Sequence, residues 1–418
     1  MGFALLSVAS VFKSIGGILL AIFILLAMIT VHEFGHYLAG KLLGFKINEF
    51  SIGFGPAIFK RRSKKSGELF ALRVIPLGGF CAFDGEDGLD EETEKSEEAE
   101  EKEEEPFDEL SQKDGGRDES CGNAPEIIKE KYQKDDYPEP KGKRFTEQPP
   151  WKRIIVLVAG AFMNYLLALV LLIIMVGIYG QPMCIVMPIG YESGMEVQHA
   201  VWEEPTLSYR DILLEINGKE IAMGTDCIDA LKGKKAGEEV PVSVLRKKDD
   251  EWLEKEVTLV LKADANFKNM ADKELLDTAM GLEVFTTTLQ RGALQTIGGA
   301  LKYSGEMGTA VIRSLGEVLT GAMGLDSMGG PITTITQTAQ AASMSPFSFL
   351  YMASFIGVNL AVFNLLPIPA LDGCKVVFCI IEWIRKKPVS RKVEAVIHFV
   401  GIVFIFGFAI LVDLLQLF

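Results

Sequence analysis

Residues 32–36 read His-Glu-Phe-Gly-His. An α-helix has 3.6 residues per turn, so His32 and His36, four apart, project from one face and can grip a single cation. In an H-E-x-x-H arrangement Glu33 stands beside the ion rather than on it, where it can take a proton from a water. Zinc suits two neutral imidazoles completed by a carboxylate. That set leaves a fourth position for water, whose pKa falls towards 7 on the metal. In a soluble helix the same five residues would read equally well as groups hydrogen-bonded to neighbouring helices. Here they occupy the second half of an apolar run, ILLAIFILLAMITVHEFGHYLAG, residues 18–40. Ionisable groups inside lipid are costly, and such positions are read as functional.

Two histidines do not complete the site. His199 falls in a region read as exterior, and His398 opens the last apolar run beside a basic loop, so neither is a good third ligand. Asp372 is better placed, in NLAVFNLLPIPALDGCKVV, residues 359–377, after an apolar helix broken by Pro367 and Pro369. Proline removes a backbone donor and kinks the chain, which lipid tolerates only where protein or a cavity satisfies the freed carbonyls. A break of that kind aims a carboxylate inward. Glu382, near a span edge, and Asp413, near the C-terminal end, are the weaker alternatives.

The elements that must bring these residues together are membrane helices. The chain has 418 residues, 49% of them hydrophobic, and the apolar ones concentrate at 15–40, 154–179, about 347–371 and 398–418. About 20 apolar residues in a helix match the hydrocarbon thickness. The net charge of −14 is local: 14 acidic against 2 basic residues from Asp84 to Glu105 give −12, leaving about −2 for the rest. Residues 84–149 therefore read as a solvated, disordered loop. Lysines and arginines flank the first two spans within 41–153 and recur in 373–397, whereas the terminal flanks are almost free of them. By the positive-inside rule both connections are cytoplasmic, and both termini and the 180–345 region are outside. The first run is too long for a cleaved signal peptide and lacks a small-residue cleavage site.

The stretch 44–83 partly alternates apolar with polar residues and is punctuated by glycine, which predicts short strands or hairpins. Residues 182–264 carry a turn at Asn217-Gly218 and two alternating stretches, the pattern of a small β-rich domain. From 265 to 345 apolar residues recur at helical spacing among small ones, predicting an amphipathic helical region on the outer surface. Lys302, Glu306, Arg313 and Glu317 argue against a fifth span there. The six cysteines show no zinc spacing, and only Cys184 and Cys227 share the exterior region, where a bond between them is left open.

HEFGH in a first span, NLLPIPALDG in a third and an exterior domain between spans resemble the site-2 protease family of intramembrane zinc metalloproteases. The likeness is greatest to the bacterial branch that cleaves anti-sigma factors and carries PDZ domains. It extends through GFGP (53–56), IPLGGF (75–80), VAGAFMNYLLA (158–168) and MGGPI (328–332). The resemblance implies that His32, His36 and Asp372 hold Zn2+ and that Glu33 is the general base. It implies that Asn364 and Pro367 hold the unwound substrate, and that 44–83 is a membrane-associated β region pairing with it. The expected fold is then a polytopic α-helical membrane protein with four transmembrane helices (1–43, 150–181, 346–372 and 398–418), that β region and one exterior PDZ-like domain. PIGYESGMEVQHAVWEEP, residues 188–205, lacks the usual carboxylate-binding pattern, so this domain is expected to act as a plug or size filter. Expected substrates are single-span proteins already trimmed outside, such as anti-sigma factors or remnant signal peptides, in a bacterial inner membrane. No nucleic-acid partner is expected. A proton or cation transporter should show an inverted repeat, which is not found. A silent peptide-binding scaffold should have lost a ligand or the base, and this chain keeps all four.

Overall fold

Where a long run is apolar on every face, the backbone can satisfy its own hydrogen bonds in lipid only as a helix. The computed structural model describes residues 8–86, 137–192, 194–290, 292–325 and 328–416, and four of its helices are long and apolar enough to cross a membrane. They are α1 (Val8–Leu43), α2 (Pro150–Tyr179), α7 (Pro346–Leu365) and α9 (Arg391–Leu415). The third expected span is shorter than read, because the chain leaves the helix at Leu365, two residues before the first proline. It re-enters one as α8 (Asp372–Arg385), so most of the supposed link 373–397 is helical. The fourth begins at Arg391 rather than His398, its first turns carrying charge.

Contacts divide the chain into two units, Met1–Gly35 with Leu157–Phe378 and Val396–Phe418, and His36–Val156 with Cys379–Ala395. Helix α1 runs unbroken through residue 35.

In the second unit, where short strands or hairpins were expected, β1 (Ile47–Arg62) and β2 (Leu69–Phe83) form one long antiparallel hairpin. The hairpin folds back on itself: Leu72 pairs with both Phe59 and Ile52, and Ile52 pairs also with Gly79. The bend at Gly53 has φ +88°, and a β-carbon there would lie 2.7 Å from the Ile75 carbonyl oxygen, so only glycine fits. Arg73 ties the bend, donating to Ser51 Oγ at 2.7 Å, Gly55 O at 2.7 Å and Glu49 Oε1 at 2.6 Å. Phe54, Ile58, Phe59, Leu72, Val74 and Ile75 are exposed along it. Of the acidic loop, residues 87–136 lie outside the described residues. Residues 143–145 are tied to both ends of the hairpin, Lys46 N donating to Lys143 O at 2.9 Å and Phe145 N to Asp84 O at 2.8 Å.

In the first unit the β-rich domain comprises β3 (Gln181–Met187), β4 (Ile212–Ile216), β5 (Lys219–Glu220), α3 (Gly224–Leu231), β6 (Glu239–Lys248), β7 (Glu251–Val260), α4 (Lys273–Met280) and β8 (Glu283–Leu289). Its sheet has the order β7-β6-β4-β3-β8, with β5 on β4. All seven residues of β8 pair with β3, so the domain continues to Leu289 and the boundary expected at 264 falls short. Its core joins alternate strand residues such as Leu213, Val242 and Leu259 to Ile228 and Leu231 of α3 and Leu276 of α4. Cys184 and Cys227 are buried, free thiols there. Arg246 is fully buried and uses every donor: Nε and Nη2 reach Asp211 at 2.8 and 2.6 Å, and the carbonyls of Val201, Glu204 and Thr206 take the rest. This side chain fastens the irregular 201–206 segment to the sheet together with β7, where Thr258 N donates to Pro205 O at 2.8 Å.

Two further helices follow, α5 (Ala293–Leu319) and α6 (Pro331–Met344). Helix α5 buries Ala300, Tyr303, Ser304, Met307, Ala310 and Val311, one stripe at three- and four-residue spacing, against α2 and α7 residues such as Leu172 and Val358. It is not among the spanning candidates.

Candidate metal centre

Helix periodicity sets His32 and His36 one turn apart on α1, and both are buried. Glu33, the next residue round the helix from His32, is half-buried. The chain break after α7 does the remaining work. Leu366–Leu371 is non-helical, and the new helix starts with Asp372, whose Oδ2 lies 3.0 Å from His32 Nε2. His32, His36 and Asp372 each offer a ligand atom within 4.8 Å of the others, the only such group among the described residues. Asn364, in the last turn of α7, has its Nδ2 3.4 Å from His32 Nδ1. Pro367 is exposed on the segment that follows.

At His36 the surroundings select the tautomer a metal requires. His36 Nδ1 lies 2.8 Å from the Val156 carbonyl, which can only accept, so Nδ1 carries the proton and Nε2 keeps its lone pair. At His32, Nε2 faces Asp372, and Asn164 of α2 stands on the other side of the ring with Nδ2 3.4 Å from Nδ1. Asn164 Oδ1 is buried and has no hydrogen-bond partner among the described residues. A cation on Nε2 forces the proton onto Nδ1, and a half-turn of the amide then lets Oδ1 accept it. The orphaned acceptor therefore fits a loaded site. Two ligand atoms on one tetrahedral zinc stand about 3.4 Å apart, so the 3.0 Å pair needs only slight opening.

Glu382, Asp413 and His398 have work elsewhere. Glu382 pairs with Arg153. Asp413 accepts from Ile332 N, Thr333 N and Thr333 Oγ1 at 3.0, 3.1 and 2.9 Å, capping the N-terminus of α6. His398 Nδ1 accepts from Ala370 N at 3.1 Å. Sequence reasoning gave no role to Asn164 or His398. The signal for Asn164 was present, a lone amide deep in an apolar span.

The arrangement is that of a hydrolytic metal site, with two imidazoles and a carboxylate as donors and a further carboxylate adjacent. The sequence model of peptidase family M50 matches residues 20–408. The chain is 28% identical over 411 residues to the regulator of sigma-W protease RasP of Bacillus subtilis, covering 90% of this chain and 92% of that one. It is 27% identical over 418 residues to the zinc metalloprotease RasP of Bacillus licheniformis, with 90% and 93% covered. The zinc metalloprotease RasP of Geobacillus kaustophilus is 25% identical over 422 residues, with 90% and 91% covered.

Proposed function

The chain belongs to peptidase family M50, and from that premise we propose that His32, His36 and Asp372 hold the zinc with which it hydrolyses a peptide bond within the membrane. It is a multi-pass membrane protein and a zinc metalloendopeptidase of the site-2 type, acting in regulated intramembrane proteolysis. The observation that carries the site is the approach of Asp372 to His32 across 340 residues of sequence. Bound zinc supplies a Lewis acid that polarises the scissile carbonyl and lowers the pKa of water.

Glu33 takes the proton of the attacking water and delivers it to the leaving amine. Asn164 and the Val156 carbonyl hold the two rings in the ligating tautomer. Asn364 and Pro367 flank the place where the unwound substrate is gripped, and the hairpin β1–β2 offers an extended backbone partner, since a closed helix occupies its own carbonyls. Substrates are single-span membrane proteins trimmed outside, anti-sigma factors or remnant signal peptides among them. The β-rich domain is PDZ-like and works as a size filter outside the membrane. The basic flanks support a reading in which the acidic loop is cytoplasmic and both termini are outside, and the membrane of this reading is a bacterial inner membrane.

Glu33→Gln tests this reading. Zinc content should stay at about one per chain, the ligand set being untouched. Cleavage of a co-expressed single-span reporter should fall by about 10²–10⁴-fold. Undiminished cleavage removes Glu33 from the role, and a wild type that binds no zinc removes the site.

A further inference from the structure

Asp372 is delivered by a turn that its own sequence disfavours. Leu371 N donates to Ile368 O at 3.1 Å, closing a four-residue turn over Ile368–Leu371 with Pro369 and Ala370 in its centre. Ala370 has φ +77°. A proline followed by a residue at positive φ is the signature of a type II turn, in which the second central position is normally glycine. Alanine there strains against its own β-carbon. With Pro-Ala at the centre the type I turn is the comfortable alternative. The two differ by a flip of the peptide joining Pro369 to Ala370, whose N–H then points the other way.

That N–H is the one His398 holds. His398 Nδ1 accepts from Ala370 N at 3.1 Å, and the ring stands edge-on to Phe378 at 5.8 Å and 78°. One turn further along α9, Gly401 lets the same loop press in: a β-carbon at 401 would lie 2.6 Å from the Pro369 carbonyl carbon and 2.7 Å from its oxygen. Type I geometry would turn the Pro369 oxygen towards the His398 lone pair, acceptor against acceptor. The turn thus rests on α9 at two points, and one of them selects its peptide orientation.

We propose that His398 is a positioning residue for Asp372, holding Ile368–Leu371 in the type II turn from which the carboxylate reaches His32. The proposal rests on the reading of Asp372 as a zinc ligand. His398 takes no part in the proton transfers; it fixes the backbone two residues before the ligand. Substitution of groups that orient metal ligands lowers metal affinity by about 10–100-fold.

The test uses the full-length chain purified in detergent, with zinc release to a competing chelator and the visible spectrum of the Co2+-loaded protein as readouts beside cleavage. His398→Leu removes the acceptor at similar volume and should speed zinc release about 10–100-fold, with an altered Co2+ spectrum and a fall in kcat at nearly constant KM. His398→Asn retains a side-chain acceptor and should recover most of the loss. Ala370→Gly in the His398→Leu background should also recover it, because glycine takes φ near +80° without strain. Rescue from position 370 separates positioning of the turn from general damage to α9. Wild-type zinc retention in His398→Leu, or failure of both rescues, overturns the proposal. Asp372→Ala is the companion variant: if it too keeps zinc, the ligand assignment itself has failed, whereas loss in Asp372→Ala with wild-type behaviour in His398→Leu removes only the role of His398.

Discussion

Gly35 stands between the two histidines, where α1 packs against Ala159 and Met163 of α2. A β-carbon built on it would lie 2.8 Å from the Ala159 carbonyl carbon and 2.9 Å from Met163 Cγ, with the Ala159 oxygen nearer still. Ordinary carbon–carbon contact begins near 3.5 Å. Met163 can swing aside, but Ala159 is helix backbone, so Gly35→Ala must part the helices by on the order of 1 Å. Overpacking of this kind costs about 1–3 kcal/mol of stability, which leaves a folded protein. A metal site is less forgiving, with ligand distances held to about 0.2 Å. A catalytic group displaced by about 1 Å loses on the order of 10²-fold in rate, equivalent to about 2.7 kcal/mol. Gly35→Ala should therefore keep its helical content but lose zinc to a chelator readily and cleave a single-span reporter about 10²-fold more slowly. Gly177, also helical in α2, has nothing within 4 Å of a built β-carbon and is the control. Gly177→Ala should be neutral or stabilising by up to about 1 kcal/mol. Metal content by elemental analysis, circular dichroism and reporter cleavage of the three proteins decide the matter. A Gly35→Ala protein within threefold of wild type in zinc retention and rate would refute the reasoning, as would an equal loss in Gly177→Ala.

Arg246→Met should destabilise the β-rich domain by about 3–5 kcal/mol, since it leaves the Asp211 carboxylate buried and unpaired. Hydrogen exchange should show residues 201–206 opening first. The Cys184 thiol is pushed up to about 12 by burial, with Asp226 adding to it, and burial likewise pushes up Cys227, helped by Cys184 and Asp226. The folded domain thus keeps protons that the unfolded chain gives up above the ordinary thiol value of 9.0, so these groups support stability fully below that pH and progressively less between pH 9 and 12. Iodoacetamide at pH 8.5 should leave both unlabelled until the domain unfolds, and replacing both by alanine should flatten the loss of melting temperature in alkali. Rapid labelling of the native protein would contradict the burial argument.

The membrane helices and the histidine pair were legible because both are local properties: hydropathy over about 20 residues and a four-residue repeat on one helix face. Asp372 could be singled out for a similar reason, an acid just beyond two prolines at the end of an apolar run. The extent of the β-rich domain was not legible, since β8 joins the sheet only by pairing with a strand about 100 residues earlier. Nor was the role of Arg246 in β6, on which the Asp211 carboxylate and three carbonyls from distant residues converge.

From its sequence alone this chain determines that four helices can span a bilayer, that two imidazoles share one helix face with a glutamate beside them, and that the chain breaks before Asp372. Only the tertiary structure decides that Asp372 meets His32, that the Val156 carbonyl meets His36 Nδ1 and Asn164 meets His32 Nδ1, and that His398 meets the turn. Those partners lie 340, 120, 132 and 28 residues apart. Hydrogen bonds act over about 3 Å, and nothing in a local pattern of residue types encodes which distant groups packing will bring that close.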